Sequence, residues 1–127
     1  MYDIIFYKDK DGNEPIRNYI DELYKKPTNK DSRIKLKKII EYIGLISRYG
    51  VTIGQPVVKH ITGTDLWELR PTSDRVLFAY WKDNMFILLH HFTKKTNKTP
   101  SREIKKALSN LNDFIERNRE NNEYKNK

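Results

Sequence analysis

Glu68, Arg70, Arg75, Lys94 and Lys95 are the residues of this chain whose types suit work on a phosphodiester. An arginine fork matches two phosphate oxygens at once, and a lysine adds a mobile point charge. RNA carries its own nucleophile, the 2′-hydroxyl, so a protein that cuts it has four tasks. It must align that hydroxyl, take its proton, stabilise the phosphorane and protonate the leaving 5′-oxygen. Glu68 or a histidine can be the base, and the scheme calls for no metal and no cofactor. His90 and His91 are neighbours in an extended stretch and point to opposite faces, so at most one reaches a given site. Singly, a Glu-x-Arg pair is more often a surface ion pair, and a strand histidine is more often structural. The set gains weight only from what surrounds it.

The charge pattern is the first support. The net charge is +8, and it is unevenly spread. Residues 1–24 hold six acids against three bases, whereas residues 25–38 hold seven bases against Asp31 alone. Residues 94–106 hold six bases against Glu103. Concentrated cations of this kind suit a polyanionic partner, because they release its condensed counterions. Lys35, Lys37 and Lys38 in the first block, Lys98 in the second, and Lys59 and His60 between them are candidate RNA contacts. The alternative is a solubilising surface.

The rest of the composition bounds the class. With 127 residues, 37% hydrophobic and 33% charged, the chain suits one thin two-layer domain with a large wetted surface. The absence of cysteine excludes disulfides and thiol chemistry. No apolar run nears the roughly 18 residues of a membrane span, so no membrane partner is expected. Met1-Tyr2-Asp3-Ile4 has no leader character, and the expectation is a cytoplasmic protein.

The elements that must position these residues can be read from periodicity. Residues 2–7 are β-branched and aromatic and predict a strand. Ile16, Tyr19, Ile20, Leu23 and Tyr24 recur at helical spacing up to Pro27. A second helix presents Leu36, Ile39, Ile40, Ile43 and Ile46 on one face and ends at Gly50. A short strand is possible at 57–61. Strands at 66–70, 75–81 and 86–93 then form an antiparallel meander, with Asp83-Asn84 in a hairpin loop. Thr99-Pro100 reads as the cap and first residue of a helix carrying Ile104, Ala107, Leu108, Leu111, Phe114 and Ile115. Residues 1–117 make one domain, and the polar stretch 118–127 is expected to be a flexible tail. The fold class is α+β, a mainly antiparallel sheet with an N-terminal helical hairpin, a C-terminal helix and the helices on one face. Strand alternation puts Leu66, Glu68 and Arg70 on one face, and sets Phe86, Leu88, His90 and Phe92 against Ile87, Leu89, His91 and Thr93.

Three segments together resemble a known family. They are Leu66-Trp67-Glu68-Leu69-Arg70, Arg75-Val76-Leu77-Phe78-Ala79, and the run from Leu88 through His90-His91-Phe92-Thr93-Lys94-Lys95-Thr96-Asn97-Lys98-Thr99-Pro100. The pattern is similar to that of the phage-derived HigB-like branch of the RelE superfamily, and the element order agrees to about residue 117. The resemblance implies a RelE-like microbial RNase fold and a toxin that cuts messenger RNA on the ribosome, inhibiting translation. It also implies a HigA-like helix-turn-helix antitoxin, through which alone operator DNA would be contacted. Position by position, Arg75 matches the arginine used on the scissile phosphate, and its removal is expected to spare folding. Lys94 or Lys95 takes the place of a second catalytic basic residue, and Arg70 contacts substrate phosphate. Glu68 stands where some relatives have a lysine. A tyrosine of some relatives has no counterpart, Thr99-Pro100 occupying its neighbourhood, and His91 ahead of His90 would substitute. The alternatives are a ParE-like gyrase poison of the same fold, or a phage-derived module that binds nucleic acid without catalysis.

Overall fold

In a computed structural model, which describes residues 1–125 and side-chain surroundings as far as residue 119, the expected elements form around one sheet. Strand β1 (Asp3–Phe6) leads into helices α1 (Pro15–Tyr24) and α2 (Lys30–Tyr49), and a short 3-10 turn (Gly50–Ile53) closes α2. Strands β2 (Val58–His60), β3 (Leu66–Leu69), β4 (Asp74–Trp81) and β5 (Met85–Thr93) follow, then helix α3 (Ser101–Lys125). The sheet order is β1-β5-β4-β3-β2; β1 lies parallel to β5 and every other pair is antiparallel. This is the α+β arrangement expected, consistent with a RelE-like fold. The short segment at 57–61 is a true edge strand, and α3 continues past residue 117. Residues 126 and 127, the end of the expected tail, lie outside the described residues.

Local chemistry explains the boundaries. Asn29 caps α2, its side-chain oxygen accepting the Ser32 amide at 2.9 Å. Gly50 ends the helix at φ +68°, where a Cβ would stand 2.9 Å from the Tyr2 ring, so glycine is required twice over. Asp83 and Asn84 both take positive φ in the β4–β5 loop, as their types allow.

The helices do not share a face, contrary to the sequence expectation. One core joins Ile16, Ile39 and Ile46 of α1 and α2 to Leu69, Val76, Phe78, Phe86 and Leu88. A second joins Ala107 and Leu111 of α3 to Leu66, Leu77, Ala79, Ile87 and Leu89. The strands are apolar on both faces, so each face needs a cover, and the three helices divide between them. The apolar stripe of α2 is narrower than its spacing suggests: Ile39 and Ile46 are buried, while Ile40 is 45% exposed.

A bulge changes which side chains point where. Leu77 pairs with His90 but Phe78 pairs with Leu88, so Leu89 is an extra residue in β5. Beyond it the alternation flips. Phe86 and Leu88 face α1 and α2, but His90 faces α3, where Glu103 meets it at 3.0 Å. His91 faces α1, its ring stacked on Tyr19 at 4.3 Å. The sequence alternation, which grouped His90 with Phe86 and Leu88, holds only up to the bulge.

The first core predicts where stability resides. Ile39 is fully buried between α2 and the sheet. Ile39→Ala should lower unfolding free energy by about 2–5 kcal/mol, measured by urea denaturation, through lost transfer energy and the cavity left behind.

Candidate active site

The cluster is built where β3, β4 and the exit of β5 meet on the face covered by α3. Glu68 pairs with Leu77 across the β3–β4 ladder and points to that face, together with Arg75. Arg70 leaves the end of β3, its amide held by the Val57 carbonyl at 2.9 Å. Lys94 leaves the end of β5, its amide held by the Ser73 carbonyl at 2.8 Å. Three chain segments that are distant in sequence are thus fixed by backbone hydrogen bonds before any side chain takes part.

Glu68 is the centre of the cluster and is only 4% exposed. Its Oε1 lies 3.6 Å from the Nε of Arg70 and 3.6 Å from the Nε of Arg75. Its Oε2 accepts a short hydrogen bond from the Thr99 hydroxyl. At 3.6 Å the arginine contacts are ion pairs rather than hydrogen bonds. Both Nε atoms are buried and have no hydrogen-bond partner among the described residues. Both donors are turned toward the Glu68 carboxylate, whose charge is their compensation.

The two arginines differ in what they can touch. Arg70 lines a cleft of about 500 Å³ with Glu68, Lys94, Lys98 and Thr99, walled on the β2 side by Lys59 and His60. Arg75 lies behind Glu68, 7% exposed. Its Nη1 donates to the carbonyls of Thr72 and Asp74, each at 2.8 Å. Thr72 sits at φ +54°, a costly conformation for a β-branched residue, and Arg75 clamps that turn. Burial holds the Arg75 guanidinium below its ordinary pKa, with Glu68 opposing that shift and Arg70 adding to it. Arg75 therefore has a structural part in the turn, and the expectation that its removal spares folding gives way.

The other candidates fall into three places. Lys59, His60, Lys94 and Lys98 share the cleft with Arg70. His60 Nε2 donates to the Thr64 carbonyl at 2.8 Å, and its ring lies against Trp67 at 4.9 Å, on the face away from Glu68. Lys95 points the other way, into a neighbouring pocket with Phe92 and Arg102. His91 and the α2 lysines lie on the opposite face of the sheet. There Asp74, 1% exposed, accepts from the Tyr19 hydroxyl at 2.6 Å and from Thr93 at 3.1 Å, with Lys35 at 4.0 Å. Lys38 pairs with Glu41 at 3.5 Å, and Lys37 is exposed on the outer surface of α2. The sheet thus separates the two basic blocks, and His91 from the Glu68 cleft.

Thr99 was missed by sequence reasoning as a site residue. It read as a helix cap, but α3 begins at Ser101, with Pro100 supplying the first carbonyl to Glu103 and Ile104. The Thr99 hydroxyl goes instead to Glu68. His90, not His91, is the histidine on the face of the cluster, and only the bulge decides that. No grouping of three or more metal-binding side chains occurs among the described residues, and no described helix is long and apolar enough to cross a membrane.

Comparison with known families follows the geometry. The family model described as phage-derived protein Gp49-like (DUF891) matches residues 21–112, which span α2, the antiparallel strands and the first half of α3. No curated protein matches the chain.

Two outcomes test these assignments. Arg75→Ala should cost about 3 kcal/mol of stability in denaturant unfolding, the lower end for breaking a buried pair, since Glu68 keeps Arg70. His91 offers a pH test. Burial, then the charge of His90, hold its pKa below the ordinary 6.5, while Asp74, Glu22 and Glu103 oppose that shift. Unfolding therefore takes up a proton, so its stabilising effect is complete above about pH 6.5 and is lost as pH falls below it. His91→Gln should flatten that acid-side decline in melting temperature.

Proposed function

The chain belongs to the Gp49-like family of phage-derived proteins, a family associated with RelE-like toxins, and we propose that it is the toxin of a toxin–antitoxin pair that cuts messenger RNA on the ribosome. The observation that carries this reading is the convergence of Glu68 and Arg70 with Lys59, Lys94 and Lys98 on one cleft. A phosphate oxygen is the acceptor such donors suit, and a carboxylate at hydrogen-bonding range of the same cleft is a base for the adjacent 2′-hydroxyl.

The roles follow from position. Arg70 grips the scissile phosphate and neutralises the phosphorane, with Lys94 and Lys98 adding charge. Glu68 takes the 2′-hydroxyl proton, and the oxygen so freed attacks the phosphorus while the 5′-oxygen leaves. Lys59, which stands opposite Glu68 in the β2–β3 ladder and lines the cleft, returns a proton to that oxygen from its ammonium group. Arg75 and Thr99 hold Glu68 in place. The exposed lysines of α2, on the far face, are available for ribosomal RNA while the cleft holds the message. In its cell such a protein needs a silencing partner, a helix-turn-helix antitoxin with an acidic contact surface.

Glu68→Gln and Arg70→Ala should each lower cleavage by roughly 10²–10³-fold, the loss typical of removing a transition-state group. The measurement is primer extension on cellular mRNA after brief induction, with new 5′ ends expected inside translated frames only for the unaltered protein. Unchanged transcripts together with blocked DNA supercoiling would favour the gyrase-poison reading instead. Folded Glu68→Gln and Arg70→Ala variants that cut as well as the unaltered protein would refute the assigned roles.

A further inference from the structure

Beside the Glu68 cleft lies a second pocket, of about 680 Å³, on the other side of the 94–100 loop. Phe92 forms part of its lining, and Lys95 and Arg102 stand at its rim. Neither cation has an ion-pair partner among the described residues, although Glu103 lines the same pocket. Glu103 is itself engaged by His90 at 3.0 Å. Phe92 is only half-buried although it packs on the α3-side core. Lys98 and Thr99 line both this pocket and the first, so the two are adjoining compartments of one cationic surface.

We propose that this second pocket takes the nucleobase next to the scissile phosphate, stacked on Phe92, with its phosphate between Lys95 and Arg102. A partly exposed aromatic ring flanked by unpaired cations offers single-stranded nucleic acid a face for the base and charge for the backbone. The volume exceeds what one base needs, so the pocket accepts purines and pyrimidines alike, and preference arises from stacking rather than from base edges. The division of lysines between compartments follows: Lys94 serves the phosphate that is cut, and Lys95 serves its neighbour. This inference rests on the ribonuclease reading of the first cleft and names what lies next to it.

The test uses the whole chain and a 2′-O-methyl trinucleotide with 2-aminopurine at its centre, which cannot be cut and whose fluorescence falls on stacking. Titration at low salt should give quenching with the unaltered protein. Phe92→Leu keeps an apolar side chain against the core but removes the aromatic face. It should abolish the quenching and weaken binding about ten-fold, while Phe92→Tyr restores both. Lys95→Glu/Arg102→Glu should weaken binding by a similar factor and flatten its salt dependence. Arg70→Ala reports on the first cleft independently. Binding that depends on Arg70 but is indifferent to Phe92→Leu overturns the second pocket alone. Absence of binding at any concentration overturns both readings.

Discussion

A carboxylate taken out of water beside two guanidinium groups is stabilising only if its charge is met on every side, because its desolvation costs several kcal/mol. Glu68 meets that condition with three partners drawn from three parts of the chain. Arg70 comes from the end of β3, Arg75 from β4 and Thr99 from the approach to α3. The floor of the cleft and the Thr99 end of the 94–100 loop depend on that one side chain. Remove its charge, and two arginines face each other across a buried space. Remove either arginine, and the carboxylate loses half of its compensation. The arrangement therefore fixes the geometry of the site at the cost of leaving both Nε donors without a hydrogen bond.

The opposite face of the sheet repeats this logic one residue earlier in β4. Asp74 is equally buried, and its acceptors are met by Tyr19 from α1 and Thr93 from β5, with Lys35 of α2 nearby. Desolvation, then the hydrogen bond to Asp74, pushes the Tyr19 hydroxyl well above its ordinary pKa, so it stays a donor throughout the physiological range. Asp74 and Arg75 are consecutive residues pointing in opposite directions. One anchors the α1–α2 layer, and the other clamps the turn beneath the cleft. The start of β4 is thus pinned from both faces, which gives the site a rigid floor.

Periodicity and turn chemistry made the elements legible. Gly50, Asp83-Asn84 and Asn29 each announce a boundary by a residue type that the backbone there requires. The grouping of Glu68 with Arg70 and Arg75 was also legible, through alternation and the resemblance to HigB-like proteins. Three features were hidden. The bulge at Leu89 inserts one residue without any glycine or proline to mark it, and so reverses His90 and His91. The division of helices between two faces was implied by strands apolar on both sides, yet the order of elements alone does not decide it. Thr99 looked like a cap because a threonine before Pro-Ser usually is one; its hydroxyl was claimed by a buried carboxylate 31 positions earlier, a contact that only the tertiary fold creates.

How the lysines are carried bears on the chemistry as much as their number. The 94–100 loop is held at both ends, by the Lys94 amide on Ser73 and by Thr99 on Glu68, and inside by the Thr96 hydroxyl on the Lys98 carbonyl. Its backbone is therefore set in advance, while Lys95 and Lys98 remain exposed and free to follow a substrate. Arg70 behaves in the opposite way, a half-buried fork with a fixed direction. On the ribonuclease reading proposed above, the fixed fork would select one phosphate geometry, which is what a transition state demands. Mobile ammonium groups neutralise charge over a range of positions, which suits a strand that must enter, pass and leave. A site with both can discriminate at one phosphate and stay permissive at the next.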